Sequence, residues 1–101
     1  MPNFKDDPVL SFVAKSAKQR SWIRCIWLFG SRSKAKHSQT SDYDLAFEVD
    51  ESENLPWGEF CLELREKNPS LNQLDLLRFD IIEKDFSKRI QKEGIKIYER
   101  L

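Results

Sequence analysis

The sequence predicts an α+β domain, a small mixed β-sheet with helices packed mainly on one face. Helical and strand-like hydrophobic periods alternate along the chain in the order α-β-α-β-α-β-α-β, without repeats or low-complexity segments. The first two strand-like runs are separated, after a short turn helix, by only about six to twelve residues, so an antiparallel pair is at least as well favoured there as a parallel crossover. The 101 residues match the length of one domain with a thin core, residues 1–101.

Each element has its own signal. Asp7-Pro8 reads as an N-cap followed by a first-turn proline, and Val9, Leu10, Val13 and Ala17 continue at helical spacing to about Arg20. Ser21 to Phe29 holds two Trp, two Ile, Leu and Phe, a buried strand that stops at Gly30. Ser31 to about Lys36 reads as a short helix, and the polar run to Ser41 as a loop. Tyr43 to Val49 alternates: Leu45, Phe47 and Val49 take one face, Asp44, Ala46 and Glu48 the other. After an acidic connector, Pro56 opens a helix with Trp57, Phe60, Cys61 and Leu64 on one stripe, ended by Asn68-Pro69-Ser70. Gln73 to Phe79 is a third strand. Asp80 is expected to cap a last helix carrying Ile82, Phe86 and Ile90, Gly94 to end it, and Ile95 to Tyr98 to close the sheet.

Composition narrows the function. Seventeen Lys and Arg balance seventeen Asp and Glu, so direct binding to duplex nucleic acid, which needs surplus cations, is not expected. Mean hydropathy is −0.63, no apolar run approaches the roughly 18–20 residues of a membrane helix, and the first eight residues lack a signal-peptide layout; a cytoplasmic globular protein is expected. Cys25 and Cys61 lie in apolar patterns and read as reduced, buried thiols. His37 is the only histidine, too few for a structural zinc site, and it has no nucleophile elbow nearby.

Chemistry concentrates between residues 28 and 45. Gly30 lets backbone approach a phosphate, Ser31 adds a hydroxyl at a helix start, and Arg32 offers a fork for a terminal phosphate. Asp42 and Asp44, at i and i+2, would share one strand face with Cα atoms roughly 6.5–7 Å apart. Carboxylates that close suit Mg²⁺. Asp75 is polar within an apolar strand; if that strand lies beside the first two carboxylates, three of them can hold two metal ions and clamp an in-line phosphoryl displacement.

Gly30-Ser31, ten residues, then Asp42-Tyr43-Asp44 resembles the Gly-Ser-x10-Asp-x-Asp signature of the DNA polymerase beta-like nucleotidyltransferases. Leu28 to Arg32, Ser41 to Leu45, Leu74 to Leu77 and the ending Ile90 to Glu99 resemble, within that superfamily, the minimal nucleotidyltransferases (the MNT family). The resemblance implies a polymerase beta-like core. It implies two Mg²⁺ on Asp42 and Asp44, with Asp75 completing the second site and helping to activate an acceptor hydroxyl. Gly30 and Ser31 would hold the triphosphate, with Arg32 assisting. The implied reaction moves a nucleoside monophosphate from an NTP, with ATP the favoured donor, and releases pyrophosphate. Many family members are antitoxins paired with a HEPN-domain RNase toxin, and some adenylylate a tyrosine of that partner. Ser33-Lys34-Ala35-Lys36 departs from the small Ala and Gly residues usual in the family's short helix, which bears on how the loop closes over phosphate but removes no metal ligand.

The elements use almost the whole chain, leaving little for a drug, sugar or primer pocket, so the acceptor is expected to arrive on another macromolecule. The competing reading is a binding module of the same fold, catalytically weak or inactive, that neutralises a toxin by masking it. Trp22, Trp27, Trp57 and Tyr98 are many large rings for a thin core; one or two left exposed would mark an interface with the partner or with a second copy in a homo-oligomer.

Overall fold

A computed structural model describes residues 6–34, 38, 40–52 and 54–101. Helix α1 spans Pro8–Lys18, strand β1 Ile23–Phe29, a short 3-10 helix Gly30–Lys34, β2 Tyr43–Val49, α2 Trp57–Lys67, β3 Leu74–Arg78, α3 Lys84–Glu93 and β4 Ile95–Glu99. The sheet runs β3-β2-β1-β4. β1 pairs antiparallel with β2 and β4, and β2 pairs parallel with β3, so the sheet is mixed as predicted.

The first cap forms as read: Asp7 accepts from the backbone N–H of Val9 at 2.9 Å and of Leu10 at 3.1 Å. Val9, Leu10, Val13 and Ala17 of α1, and Phe60 and Leu64 of α2, bury against Ile23, Ile26, Leu28, Tyr43, Leu45, Phe47 and Leu74 of the sheet. Rings fix the α2 end: Phe47 meets Trp57 and Phe60 edge-on, with centroids 5.2 and 5.6 Å apart. None of Trp22, Trp27, Trp57 and Tyr98 is exposed; all four are half-buried. The exposed large apolar side chains are instead Leu62, Leu71, Ile81, Phe86 and Leu101.

Two expectations are corrected. Asp80 does not cap the last helix: it accepts twice from the Arg78 guanidinium, at 2.9 and 2.5 Å, and α3 starts later, with Glu83 at its N-cap. Gly94 ends α3 as expected, in extended backbone. Glycine is needed there for space, since a Cβ would lie 2.5 Å from the Ile90 carbonyl oxygen and 2.9 Å from that of Leu28. Cys25 is half-buried rather than buried, while Cys61 is buried, and both are free thiols. The stretch Ala35 to His37, part of the expected turn helix and loop, lies outside the described residues. Among the described residues no helix is long and apolar enough to cross a membrane.

Candidate active site

The site is built on one row across the sheet. Phe29, the last residue of β1, sits opposite Asp44 of β2, and Asp44 sits opposite Asp75 of β3. The chain then turns at Gly30, whose φ of +74° is a left-handed conformation that glycine adopts without strain. That turn carries the Gly30 backbone directly over the Asp44 carboxylate: a Cβ at Gly30 would overlap Asp44 Oδ2 and lie 3.1 Å from its Cγ. The glycine of the first motif and the second aspartate of the other motif therefore touch.

Asp44 and Asp75 come together as the sequence predicts. Burial, then the hydrogen bond and the charge of Asp75, then the charge of Asp42, push the Asp44 carboxyl up to about 6. Asp42 is exposed and lies one residue before β2, rather than on the strand as expected. Ser31 is half-buried, and among the described residues its hydroxyl has no hydrogen-bond partner. The helix it lies in, Gly30–Lys34, has five residues in 3-10 form, with Ser33 Oγ donating to the Gly30 carbonyl at 2.7 Å. A helix this short has little macrodipole, so any anion binding there falls to local N–H groups and the Ser31 hydroxyl.

Arg32, read as a phosphate fork, has its guanidinium engaged with protein. Its Nε and one terminal nitrogen donate to the Ser41 carbonyl at 3.2 and 3.0 Å, and its plane stacks 3.8 Å from the Tyr43 ring centroid. Asn72 Nδ2 donates to the same carbonyl at 3.0 Å. The peptide just before Asp42 is thus held from both sides, by the 3-10 helix and by the loop before β3. Tyr43, between the two aspartates, is buried, and its hydroxyl donates to both Asp7 oxygens at 3.1 and 2.9 Å. Burial and that bond push the phenol up to about 12, so it stays a donor at neutral pH.

Tyr43, Asp7 and Asn72 were not singled out as site residues by sequence reasoning. Asp7 carried only a local capping signal, and nothing local marks Asn72. Tyr43→Phe is expected to cost about 1–2 kcal/mol by removing a hydrogen bond to a charged acceptor, read as a lower thermal midpoint. The Asp7 caps of Val9 and Leu10 would remain, so α1 content by circular dichroism should hold.

The donor set fits a hard divalent cation. It consists of carboxylate oxygens, and burial, with the neighbouring Asp75 and Asp42 adding to it, disfavours a bare charge on Asp44 that a cation would offset. The missing side chain at Gly30 leaves room for the Asp44 carboxylate itself, which lies where a Cβ would be. Among the described residues, however, no three His, Cys, Asp or Glu side chains already converge as a metal-binding group.

The family model described as "Polymerase beta, Nucleotidyltransferase" matches residues 13–101. The chain belongs to the polymerase beta nucleotidyltransferase family. Its fold matches solved structures of low sequence identity. A toxin–antitoxin complex with AMP-PNP superposes with a TM-score of 0.71 at 19% identity, covering 90% of this chain and 73% of the other. A toxin–antitoxin pair named MntA-HepT gives 0.65 at 17%, covering 91% and 71%. A tri-AMPylated HEPN toxin of Shewanella oneidensis in complex with an MNT antitoxin gives 0.65 at 18%, covering 91% and 71%. None of the curated protein sequences matches significantly. For this nucleotidyltransferase-family chain, the two motifs read from the sequence occupy one end of the sheet, around Gly30, Asp44 and Asp75.

Proposed function

We propose that this chain is a single-domain, Mg²⁺-dependent nucleotidyltransferase that moves AMP from ATP to a hydroxyl on a protein partner, a tyrosine of a HEPN-type toxin, and so acts as a cytoplasmic antitoxin. The observation that carries the reading is the meeting of Gly30, Asp44 and Asp75 at one point in a chain of this family. The fold neighbours that hold AMP-PNP, and that pair an MNT antitoxin with an AMPylated HEPN toxin, support the choice of donor and partner.

In this reading Gly30 and Ser31 hold the triphosphate through backbone N–H groups and the Ser31 hydroxyl. Asp42, Asp44 and Asp75 would hold Mg²⁺, which when bound offsets the charge of the triphosphate and of the departing pyrophosphate. The acceptor oxygen forms a bond to the α-phosphorus as the bond to pyrophosphate breaks, and Asp75 takes the hydroxyl proton. Arg32 and Asn72 keep Asp42 in place through the Ser41 carbonyl. The test is transfer of label to the product of the gene neighbouring that of this chain. Label from ATP marked at the α-phosphate should appear on that protein and label at the γ-phosphate should not; the reverse result would make the enzyme a kinase.

A masking module without catalysis is the second reading. It is favoured by one observation, that the three carboxylates do not already converge as a metal-binding group among the described residues. A tight complex that takes up no label would establish it.

A further inference from the structure

β3 is an edge strand of the sheet, and its Asp75 meets Asp44. Asp75 also lines a groove of about 510 Å³ whose other walls come from the loop before β3 and the end of α2. This groove lies within the size range of sites that bind ligands. We propose that it docks an extended polypeptide segment of the acceptor protein, gripped by Leu71 and Arg65, so that the hydroxyl to be modified reaches Asp75. The inference rests on the transfer reading above and adds to it where, and by which residues, the acceptor is recognised.

The lining selects a polypeptide over a nucleic acid. Gln73 brings an exposed amide that suits peptide N–H and C=O, while Asn68 and Ser70 hydrogen-bond to each other and to the Asn72 backbone and so shape the wall. Among the described residues Arg65 is the one cation in the lining, and Asp75 is an anion, so no basic track follows a phosphate backbone. Nor does an aromatic side chain among them line the groove, so there is no platform for stacking bases. Leu71 is fully solvent-exposed at the rim, outside the core, and it fits as an anchor for an apolar side chain of the partner. The outer side of β3 pairs with no strand among the described residues, and the Leu74 carbonyl is covered by a 3.4 Å bond from Arg65. With that carbonyl taken, an extended segment is held along the edge by its side chains rather than by a continuous backbone ladder.

Leu71→Glu and Arg65→Glu test this, since both side chains are exposed and neither belongs to the core. With the product of the neighbouring gene as acceptor, each substitution should raise the acceptor KM at least tenfold while leaving kcat and the KM for ATP within twofold. Calorimetric affinity for the same protein, measured without ATP, should fall by a similar factor. Weakened affinity without any transfer by the unaltered chain would keep the groove and defeat the transfer reading. Affinity and acceptor KM unchanged in both variants, or no complex with the unaltered chain, would overturn the groove. Binding of a single-stranded RNA oligonucleotide that both substitutions abolish would also overturn it, because the occupant would then be nucleic acid.

Discussion

Asp44→Asn should lower nucleotide transfer by at least about 10³-fold and, in the absence of metal, make the protein more stable. The two effects share one cause. Asp44 is half-buried next to Asp75, and its carboxyl is pushed up to about 6 from the usual 3.8. At neutral pH the folded chain therefore holds a negative charge where the fold disfavours it. An Asn amide at this position can donate to Asp75 and turn repulsion into a hydrogen bond. The shift sets an upper bound of about 3 kcal/mol, and solvent access at the half-open site brings the expected gain to about 1 kcal/mol. In a domain of this size that raises the thermal midpoint by roughly 4–8 °C. Catalysis moves the other way, because loss of a metal-holding carboxylate removes several kcal/mol of charge stabilisation.

The same carboxylate predicts a pH dependence. Because the folded-state pKa lies above the unfolded one, the folded state binds more protons between about pH 4 and 6. Stability of the metal-free protein should therefore fall as pH rises through that window, and Asp44→Asn should flatten the profile there. Thermal melts at several pH values, with chelator present, measure both. A midpoint unchanged by Asp44→Asn at pH 7, together with full transfer, would remove Asp44 from the site.

Gly30→Ala should be nearly as damaging for transfer, through geometry rather than charge. At φ +74° an alanine carries a strain of about 1–2 kcal/mol. The added Cβ would also fall on Asp44 Oδ2. Either the turn or the carboxylate must move, and a displacement of about 1 Å in a reacting constellation costs on the order of 10²-fold in rate. Gly58→Ala is the control. Gly58 lies in the first turn of α2, and no other part of the fold comes within 4 Å of the place its Cβ would take, so alanine there should leave transfer unchanged and stabilise by about 0.5 kcal/mol. If Gly30→Ala behaved like Gly58→Ala in both stability and rate, the close approach of the two motifs would have no functional weight.

Most of the fold is legible in the sequence because its signals are local. Asp7-Pro8 caps α1, the Tyr43 to Val49 alternation sets β2, and the stripe from Trp57 to Leu64 faces the sheet. Asp80 misleads because a capping residue and a salt-bridge acceptor look alike in sequence; Arg78, two residues earlier, takes its carboxylate. Gly94 reads correctly as a helix end, but its need for space is not legible, since it depends on the Leu28 carbonyl of a distant strand. At the site, the residue types are legible and their tethers are not. Tyr43 reaches Asp7 and Asn72 reaches Ser41 across separations of 36 and 31 residues, which no local pattern encodes. Arg32 carries the right charge for phosphate, yet in the fold it secures the Ser41 carbonyl. The raised pKa of Asp44 likewise requires the β2–β3 pairing to be known.

The most direct test of nucleotidyl transfer to a protein is the intact mass of the product of the neighbouring gene after incubation with this chain, Mg²⁺ and each NTP in turn, alongside Asp44→Asn. The expected result is a gain of one or more AMP units with ATP, absent with the variant and absent with chelator. An acceptor of unchanged mass under every condition, while the two proteins form a tight complex, would contradict transfer and leave masking as the mode of action.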